Sequence, residues 1–128
     1  MNNIEKAQQW IVDNSVEITT KITPLCVSAT KARGIVATAR RIKIHNKWYW
    51  SKNVVGYTKN GKIYYNTRNT KSVGKCVDFI IHESCHMNGM THPVIKWWKH
   101  NRAEVYKSLV YRIGRAAGEL YNLYGRLS

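Results

Sequence analysis

The sequence predicts an α+β fold, in which one helix precedes a small central sheet and further helices follow it. Three observations predict this order. Apolar residues recur at helical spacing near the N-terminus, the period changes to two after Gly34, and helical spacing returns after Ser72. The 128 residues are 44% hydrophobic and include five Trp and eight Tyr, so one core can be built. We therefore expect a single domain over residues 1–128.

The first helix is predicted over Ile4 to about Val12, with Asn2 or Asn3 as its N-cap. Ile4, Ala7 and Ile11 fall on one side of it. Residues 15–33 allow two interpretations. VEITTKI alternates as a strand does but is followed by Pro24, and a helix around Leu25 to Ala32 fits equally well.

The middle of the chain predicts about three antiparallel strands. GIVATARRIKI, residues 34–44, has a period of two that places Arg and Lys on a wet face. WYW at 48–50 comes next, and then VVGYTKNGKIYYNTR. Asn60-Gly61 separates two alternating runs in that last segment, which strongly indicates a hairpin turn.

A helix carrying the main motif is predicted to begin after Ser72, its N-cap, and to end at Gly89. Pro93 suits the first turn of a last helical region, whose apolar spacing runs from Trp97 to Leu120. Gly114 and Gly118 weaken that region, so two C-terminal helices are an alternative to one.

The charge is strongly positive, with 21 Lys and Arg against 7 acidic residues and a net charge of +14. No Asp or Glu occurs from Ile18 to Val77, although that segment has thirteen Lys or Arg. Such a field attracts phosphates, so we expect a nucleic acid as a partner. Aromatic residues interleave with these cations, as in single-strand binding surfaces. The candidate contacts are Arg40, Arg41, Lys43, Lys47, Trp48, Trp50, Lys52, Lys59 and Lys62.

Other features of the composition concern the compartment. The N-terminus has no basic segment followed by an apolar one, and no run reaches the length of a transmembrane helix. The three cysteines, Cys26, Cys76 and Cys85, show no disulfide framework spacing. We expect a monomer in the cytoplasm, near the nucleoid or, for a phage protein, in the host cell, with no membrane partner.

The segment HESCHMNGMTH, His82 to His92, contains the candidate catalytic site. On a helix, residues four apart share one face, so His82 and His86 can hold one Zn²⁺. Glu83 is rotated by roughly 100° from His82, beside the metal, where it can take a proton from bound water. A catalytic zinc needs a third protein ligand and an open position. Gly89 lets the chain turn so that His92 can be that ligand.

This segment fits the metzincin pattern HExxHxxGxxH at every fixed position, but no Met follows Met90 to form a Met-turn. It is more similar to the SprT-like and WLM-type zinc metalloproteases. Their pattern of HExxH, five residues and His reads here as His82, Glu83, His86 and His92. Cys85 precedes the second histidine as in many SprT-like members, and Trp97-Trp98 resembles their later aromatic pair. The hairpin before the motif also resembles theirs.

The resemblance implies a minimal zincin-like domain and a zinc-dependent endopeptidase, whose protein or peptide substrates are bound or crosslinked to DNA. Glu83 would activate the water that attacks the peptide carbonyl. Two alternatives stay open. The chain could be a basic nucleic-acid-binding module with a structural or vestigial zinc, or a gluzincin-type peptidase that uses Glu104 as third ligand. The donors that could stabilise the oxyanion are Tyr106, Tyr111, His100 and Arg102.

Overall fold

The computed structural model describes residues 1–48, 56–67, 70, 72–92 and 108–125. The fold is α+β, as predicted, and the described part has five α-helices and a three-stranded mixed sheet. The elements are α1 (Asn3–Asp13), α2 (Ser15–Ile22), a 3₁₀ turn (Thr23–Leu25), α3 (Ala29–Arg41), β1 (Ile44–Lys47), β2 (Gly56–Lys59), β3 (Lys62–Asn66), α4 (Val73–Met87) and α5 (Leu109–Tyr124).

The N-terminal helix is confirmed, and it begins with the expected cap. The side chain of Asn2 accepts a hydrogen bond from the backbone N–H of Glu5, which satisfies one of the unpaired donors of the first turn. Ile4, Ala7 and Ile11 are buried. In the ambiguous segment that follows, VEITTKI is a helix and not a strand, because Ile18 and Ile22, one turn apart, are both buried. The helix considered around Leu25 to Ala32 begins only at Ala29, so three α-helices, and not one, precede the sheet.

The strand predicted over residues 34–44 is wrong. Most of that segment belongs to α3, and only its last residue, Ile44, enters a strand. Ser28 caps the helix by accepting a hydrogen bond from the N–H of Lys31. The segment is helical because four apolar residues of α3, at spacings of three and four, lie on one side of the helix and are buried there. A strand would place neighbouring residues on opposite faces and could not bury all four on one side. Those residues are Ala32, Ile35, Val36 and Ala39.

The sheet has three strands, as expected, but it is mixed and not antiparallel. The predicted hairpin is present, and Asn60 and Gly61 have φ of 53° and 72°, as a tight turn between β2 and β3 requires. β3 is the central strand and pairs with β1 in parallel, in the register of Ile44 opposite Ile63. β3 carries the buried residues Ile63 and Tyr65, so the hairpin fixes one of its edges and β1 covers the other.

The motif helix, α4, lies in the middle of the fold and contacts α1, α3 and α5. Ser72 is its N-cap, as predicted. Gly114 and Gly118 do not interrupt α5, which runs unbroken past both. They let the two helices approach closely, because a Cβ at Gly118 would lie 2.9 Å from the carbonyl oxygen of Gly74. Pro93, Trp97 and Trp98 lie outside the described residues.

None of the helices in the described ranges is long and apolar enough to span a membrane.

Candidate metal centre

Two of the candidate ligands come from the last turns of α4. His82 and His86 are four residues apart and their rings meet edge to face, with centroids 5.0 Å apart. The opposite side of this helix is apolar, and Ile80, Ile81 and Cys85 are fully buried in the core. Burial of that side fixes the rotation of the helix, so both imidazoles point to one place.

A turn at Gly89 delivers the third histidine. Gly89 has a φ of 82°, in the left-handed region where a glycine is favoured. The backbone N–H groups of Gly89 and Met90 donate to the carbonyls of His86 and Cys85 and close the helix end. The chain then turns back, and the ring of His92 lies 4.6 Å from that of His86. The predicted role of Gly89 is confirmed.

The three Nε2 atoms converge. His86 Nε2 lies 3.2 Å from His82 Nε2 and 3.1 Å from His92 Nε2, and the three ligand atoms all lie within 4.8 Å of one another. Zinc bound to imidazole at about 2.0–2.1 Å with tetrahedral angles places its nitrogens about 3.3 Å apart. The three histidines are therefore close enough to bind one metal ion, as the sequence predicts.

The outer nitrogens of two rings are held by neighbours. His86 Nδ1 is 2.8 Å from the carbonyl oxygen of Met90. A carbonyl oxygen only accepts, so Nδ1 carries the proton and Nε2 presents a lone pair to the centre. His92 Nδ1 lies 3.2 Å from Ser108 Oγ, at the start of α5. Such contacts orient metal-binding histidines and raise their basicity.

Burial and the neighbouring imidazoles shift the pKa values of two of the histidines. Burial, with the nearby His86 and His92, lowers the pKa of His82 to about 3. The pKa of His92 is lowered by the same two kinds of effect, burial first and His86 second. Both rings are therefore neutral at pH 7, the form that binds metals.

Glu83 is 7% exposed, and its burial raises the pKa of the carboxyl to about 7. A carboxyl that titrates near neutrality can accept a proton from water and return it, as a general base does. Its position on α4, one residue after His82, is the one that the motif predicts. Cys85 is fully buried, and burial raises the pKa of its thiol to about 12, so it remains a protonated core residue.

Tyr111 lies against the histidines. Its ring stacks on His92 at 4.9 Å, with planes 25° apart, and meets His82 edge to face at 4.5 Å. Of the four oxyanion donors considered, it is the one in the described part of the chain. Tyr106, His100 and Arg102 lie outside that part, as does Glu104, the rival third ligand.

Sequence reasoning missed the residues that hold the end of α4. Lys31 Nζ donates to the carbonyl oxygen of Asn88 at 2.7 Å. The side-chain amide of Asn88 donates to Thr38 Oγ1 and to the Ser84 carbonyl. Asn88, next to Gly89, could have been recognised as a helix C-terminus residue, but its partners on α3 lie more than 45 residues away in sequence. Ser108, before an apolar helical run, could have been recognised as an N-cap.

The nine predicted nucleic-acid contacts do not form one strand surface. Arg40 and Arg41 are exposed at the end of α3, because the expected strand there is a helix. Lys43, Lys47 and Trp48 are exposed in and around β1, and Lys59 and Lys62 are exposed beside the hairpin turn. Trp50 and Lys52 lie outside the described residues.

One face of the sheet has an aromatic row. The pairing register places His45, Tyr64 and Tyr57 side by side across β1, β3 and β2. Neighbouring ring centroids are 5.4 and 5.3 Å apart. Lys47 Nζ lies 5.7 Å from the centre of the Tyr64 ring, and Lys59 and Lys62 share this face. Cations and aromatic rings are thus combined on the sheet, although fewer of them than the sequence suggests.

Comparisons with protein-family models, with curated proteins and with solved structures give no match to this chain. The geometry of the site therefore carries the functional interpretation.

Proposed function

We propose that the chain is a zinc-dependent endopeptidase of the SprT-like kind, with a zincin-like arrangement of its site, that cleaves proteins bound or crosslinked to DNA. One observation carries the proposal. The imidazole nitrogens of His82 and His92 both lie at zinc-ligand separations from that of His86, while a buried glutamate, Glu83, directly follows His82. Three histidines with an open fourth position are typical of catalytic zinc, whereas structural zinc has four protein ligands.

In the proposed reaction, His82, His86 and His92 would hold the zinc, which supplies a Lewis acid for the peptide carbonyl and for water. Glu83 accepts the proton of the attacking water and later transfers it to the leaving nitrogen. The pKa of about 7 given to Glu83 by burial suits both transfers. Tyr111, packed on two of the ligand rings, is the described residue best placed to donate to the oxyanion.

Zinc is favoured over other metals because three imidazoles suit its preference for nitrogen ligands, and because the set has no carboxylate of the kind that Mg²⁺ and Ca²⁺ prefer.

Reduced cysteines support a cytoplasmic setting for the proposed enzyme. Cys26, Cys76 and Cys85 are all unpaired, and burial raises the pKa of Cys76 to about 11, which keeps it unreactive.

The test combines metal content with proteolysis. Wild type and Glu83→Gln should both bind about one equivalent of zinc, and His86→Ala should lose it. Cleavage of a DNA-bound protein should disappear in Glu83→Gln and persist in Glu17→Gln, which removes an exposed carboxylate of α2. His45→Ala is the matched histidine control and should keep its zinc. Proteolysis that survives Glu83→Gln would contradict the mechanism.

A second candidate function is a nucleic-acid-binding module in which zinc is structural or vestigial. The aromatic row on the sheet, with Lys47, Lys59 and Lys62, favours it, because rings beside cations hold single strands. This function predicts DNA binding that Glu83→Gln leaves intact, weakened binding in the double variant Lys59→Gln/Lys62→Gln, and no proteolysis by wild type with or without DNA.

The gluzincin alternative differs in its third ligand. It predicts that Glu104→Gln lowers the zinc content as much as His86→Ala does, while His92→Ala leaves zinc bound. The proposal made here predicts the reverse, since His92 Nε2 is 3.1 Å from His86 Nε2.

A further inference from the structure

A second cationic feature lies between α2 and α5, and its described lining includes none of the residues that the sequence predicts for nucleic-acid binding. It is a cleft of about 740 Å³ that is open to solvent. Lys21 lines one side and Arg112 and Arg115 line the other, while Leu25 and Ala116 are among its apolar residues. Glu119 is the one acidic residue of the lining. We propose that this cleft binds the phosphodiester backbone of a nucleic acid.

The cations face one another across a concavity, which distinguishes them from the predicted contacts. Arg112 and Arg115 are three residues apart on α5, so their side chains leave the same side of the helix. Lys21 comes from the last turn of α2, and α2 contacts α5 directly. A concave surface with apolar walls, in which three cations outnumber one carboxylate, concentrates the field more than scattered surface cations do.

The chemistry of the lining fits phosphate groups. Arg presents a planar set of donors that matches phosphate oxygens, and Lys adds a point charge. Burial raises the pKa of Asp78 on α4 to about 6 and the charge of Arg115 partly opposes that rise, so part of the field of Arg115 acts within the fold. Lys21 and Arg112 are therefore the residues to substitute. The described part of the lining has no aromatic ring on which a base could stack, which implies backbone binding without sequence preference.

The cleft adjoins the metal centre along α5. Tyr111, which packs on the histidine rings, and Arg115, in the cleft, are one helical turn apart, about 6 Å along the axis. A nucleic acid in the cleft would therefore contact the same helix that packs on the histidine rings. This inference goes beyond the proposed peptidase activity, since it holds whether or not the chain cleaves proteins.

The test is binding of a labelled short oligothymidylate and of a duplex of the same length, by fluorescence anisotropy between about 50 and 200 mM salt. Metal-free and zinc-loaded protein are both used, so that failure of the peptidase proposal has no bearing on the result. The double variant Lys21→Gln/Arg112→Gln removes two phosphate contacts. Its slope of log K against log salt should fall by about 1.4 for the single strand and about 1.8 for the duplex.

The matched control is Lys6→Gln/Arg33→Gln, which removes the same charge from exposed sites on α1 and α3 outside the cleft. Its slope should stay within error of wild type. Glu119→Gln should bind about twofold more tightly at low salt, because one repulsive charge is gone. Thermal melts check that all three variants fold.

Four results would overturn the proposal. Equal losses in the two double variants would mean that binding is spread over the whole basic surface. Unchanged binding in the cleft variant, or no binding by wild type, would exclude the cleft as a site. Displacement of the oligonucleotide by polyglutamate as effectively as by unlabelled oligothymidylate would assign the cleft to acidic polypeptides. Equal affinity for oligoadenylate and oligothymidylate would support backbone binding.

Discussion

Gly114→Ala tests whether the close approach of α4 and α5 holds the metal centre together. A Cβ at Gly114 would lie 2.5 Å from Asp78 Oδ1, 2.9 Å from the Asp78 carbonyl oxygen and 3.3 Å from His82 Cβ. The carboxylate can rotate away, but the carbonyl belongs to the backbone of α4 and moves only with the helix. The two helices must therefore separate or shift.

The expected cost follows from two opposing terms. Overpacking of this kind costs about 1–3 kcal/mol, and Ala gains about 1 kcal/mol over Gly in a helix interior. Backbone contact places the first term in its upper half, so we expect a net loss of about 1–2 kcal/mol. For a chain of 128 residues, that corresponds to a Tm lower by roughly 4–8 °C.

Gly118→Ala is the matched variant, one turn further along α5. Its Cβ would meet the Gly74 carbonyl at 2.9 Å and Asp78 Cβ at 3.1 Å, with no atom of His82 among its nearest neighbours. Both variants should lose stability in urea titrations. Only Gly114→Ala should also weaken zinc binding, by roughly tenfold, the lower end of the range for disturbed ligand orientation. A Gly114→Ala protein as stable as wild type would refute the packing argument.

Three further predictions concern α4 and the residues that hold its C-terminal end. Gly89→Ala should lower the free energy of unfolding by about 1–2 kcal/mol and weaken zinc binding, because φ is +82° and a Cβ there meets no atom within 4 Å, so the loss comes from the backbone conformation. Gly89→Asn should lose less, since Asn tolerates that conformation better. Urea titration measures the stability and zinc titration the affinity. Lys31→Met should cost about 1 kcal/mol, less at high salt, because its Nζ binds the Asn88 carbonyl at the negative end of α4; equal losses at low and high salt would contradict this. Burial raises the pKa of Asp78 from 3.8 to about 6, so its ionised form costs folding free energy that is absent below about pH 4 and complete above about pH 6. Asp78→Asn should therefore be more stable than wild type at about pH 8, by at most about 3 kcal/mol, with no gain at about pH 4.

Sequence reasoning was reliable wherever the structure depends on neighbouring residues. The Asn2 cap, the Asn60-Gly61 turn, the Ser72 cap and the break at Gly89 are all local, and all are confirmed. The convergence of His82 and His86 is also local, because one helical turn fixes it. His92 could be predicted as the third ligand because it is only six residues after His86 and the turn at Gly89 reverses the chain toward the same place.

Errors arose where two periods fit the same residues. In residues 34–44, alternation and helical spacing both account for part of the apolar pattern, and the outcome depends on partners distant in sequence. The amide of Asn88 reaches Thr38 across α3, and its Oδ1 would lie 2.9 Å from a Cβ at Gly34, so a glycine there serves helix packing and not a strand. The parallel pairing of β1 with β3 likewise depends on a contact distant in sequence, because the hairpin pairs one edge of β3 with β2 and leaves the other edge open to β1.

The polar groups of α4 argue that this helix is kept for chemistry as well as for stability. Its core side is apolar and fully buried, yet Glu83 is nearly buried on the same helix and its pKa is raised to about 7 by desolvation alone. Burying an ionisable side chain destabilises a fold unless a partner compensates. The imidazoles add a second cost, because His86 Nε2 lies 3.1–3.2 Å from the Nε2 atoms of His82 and His92, and at least one lone pair faces another until a proton or a metal lies between them. An inert helix would lose both costs through apolar substitutions, so the cluster is better explained by a cation that it binds.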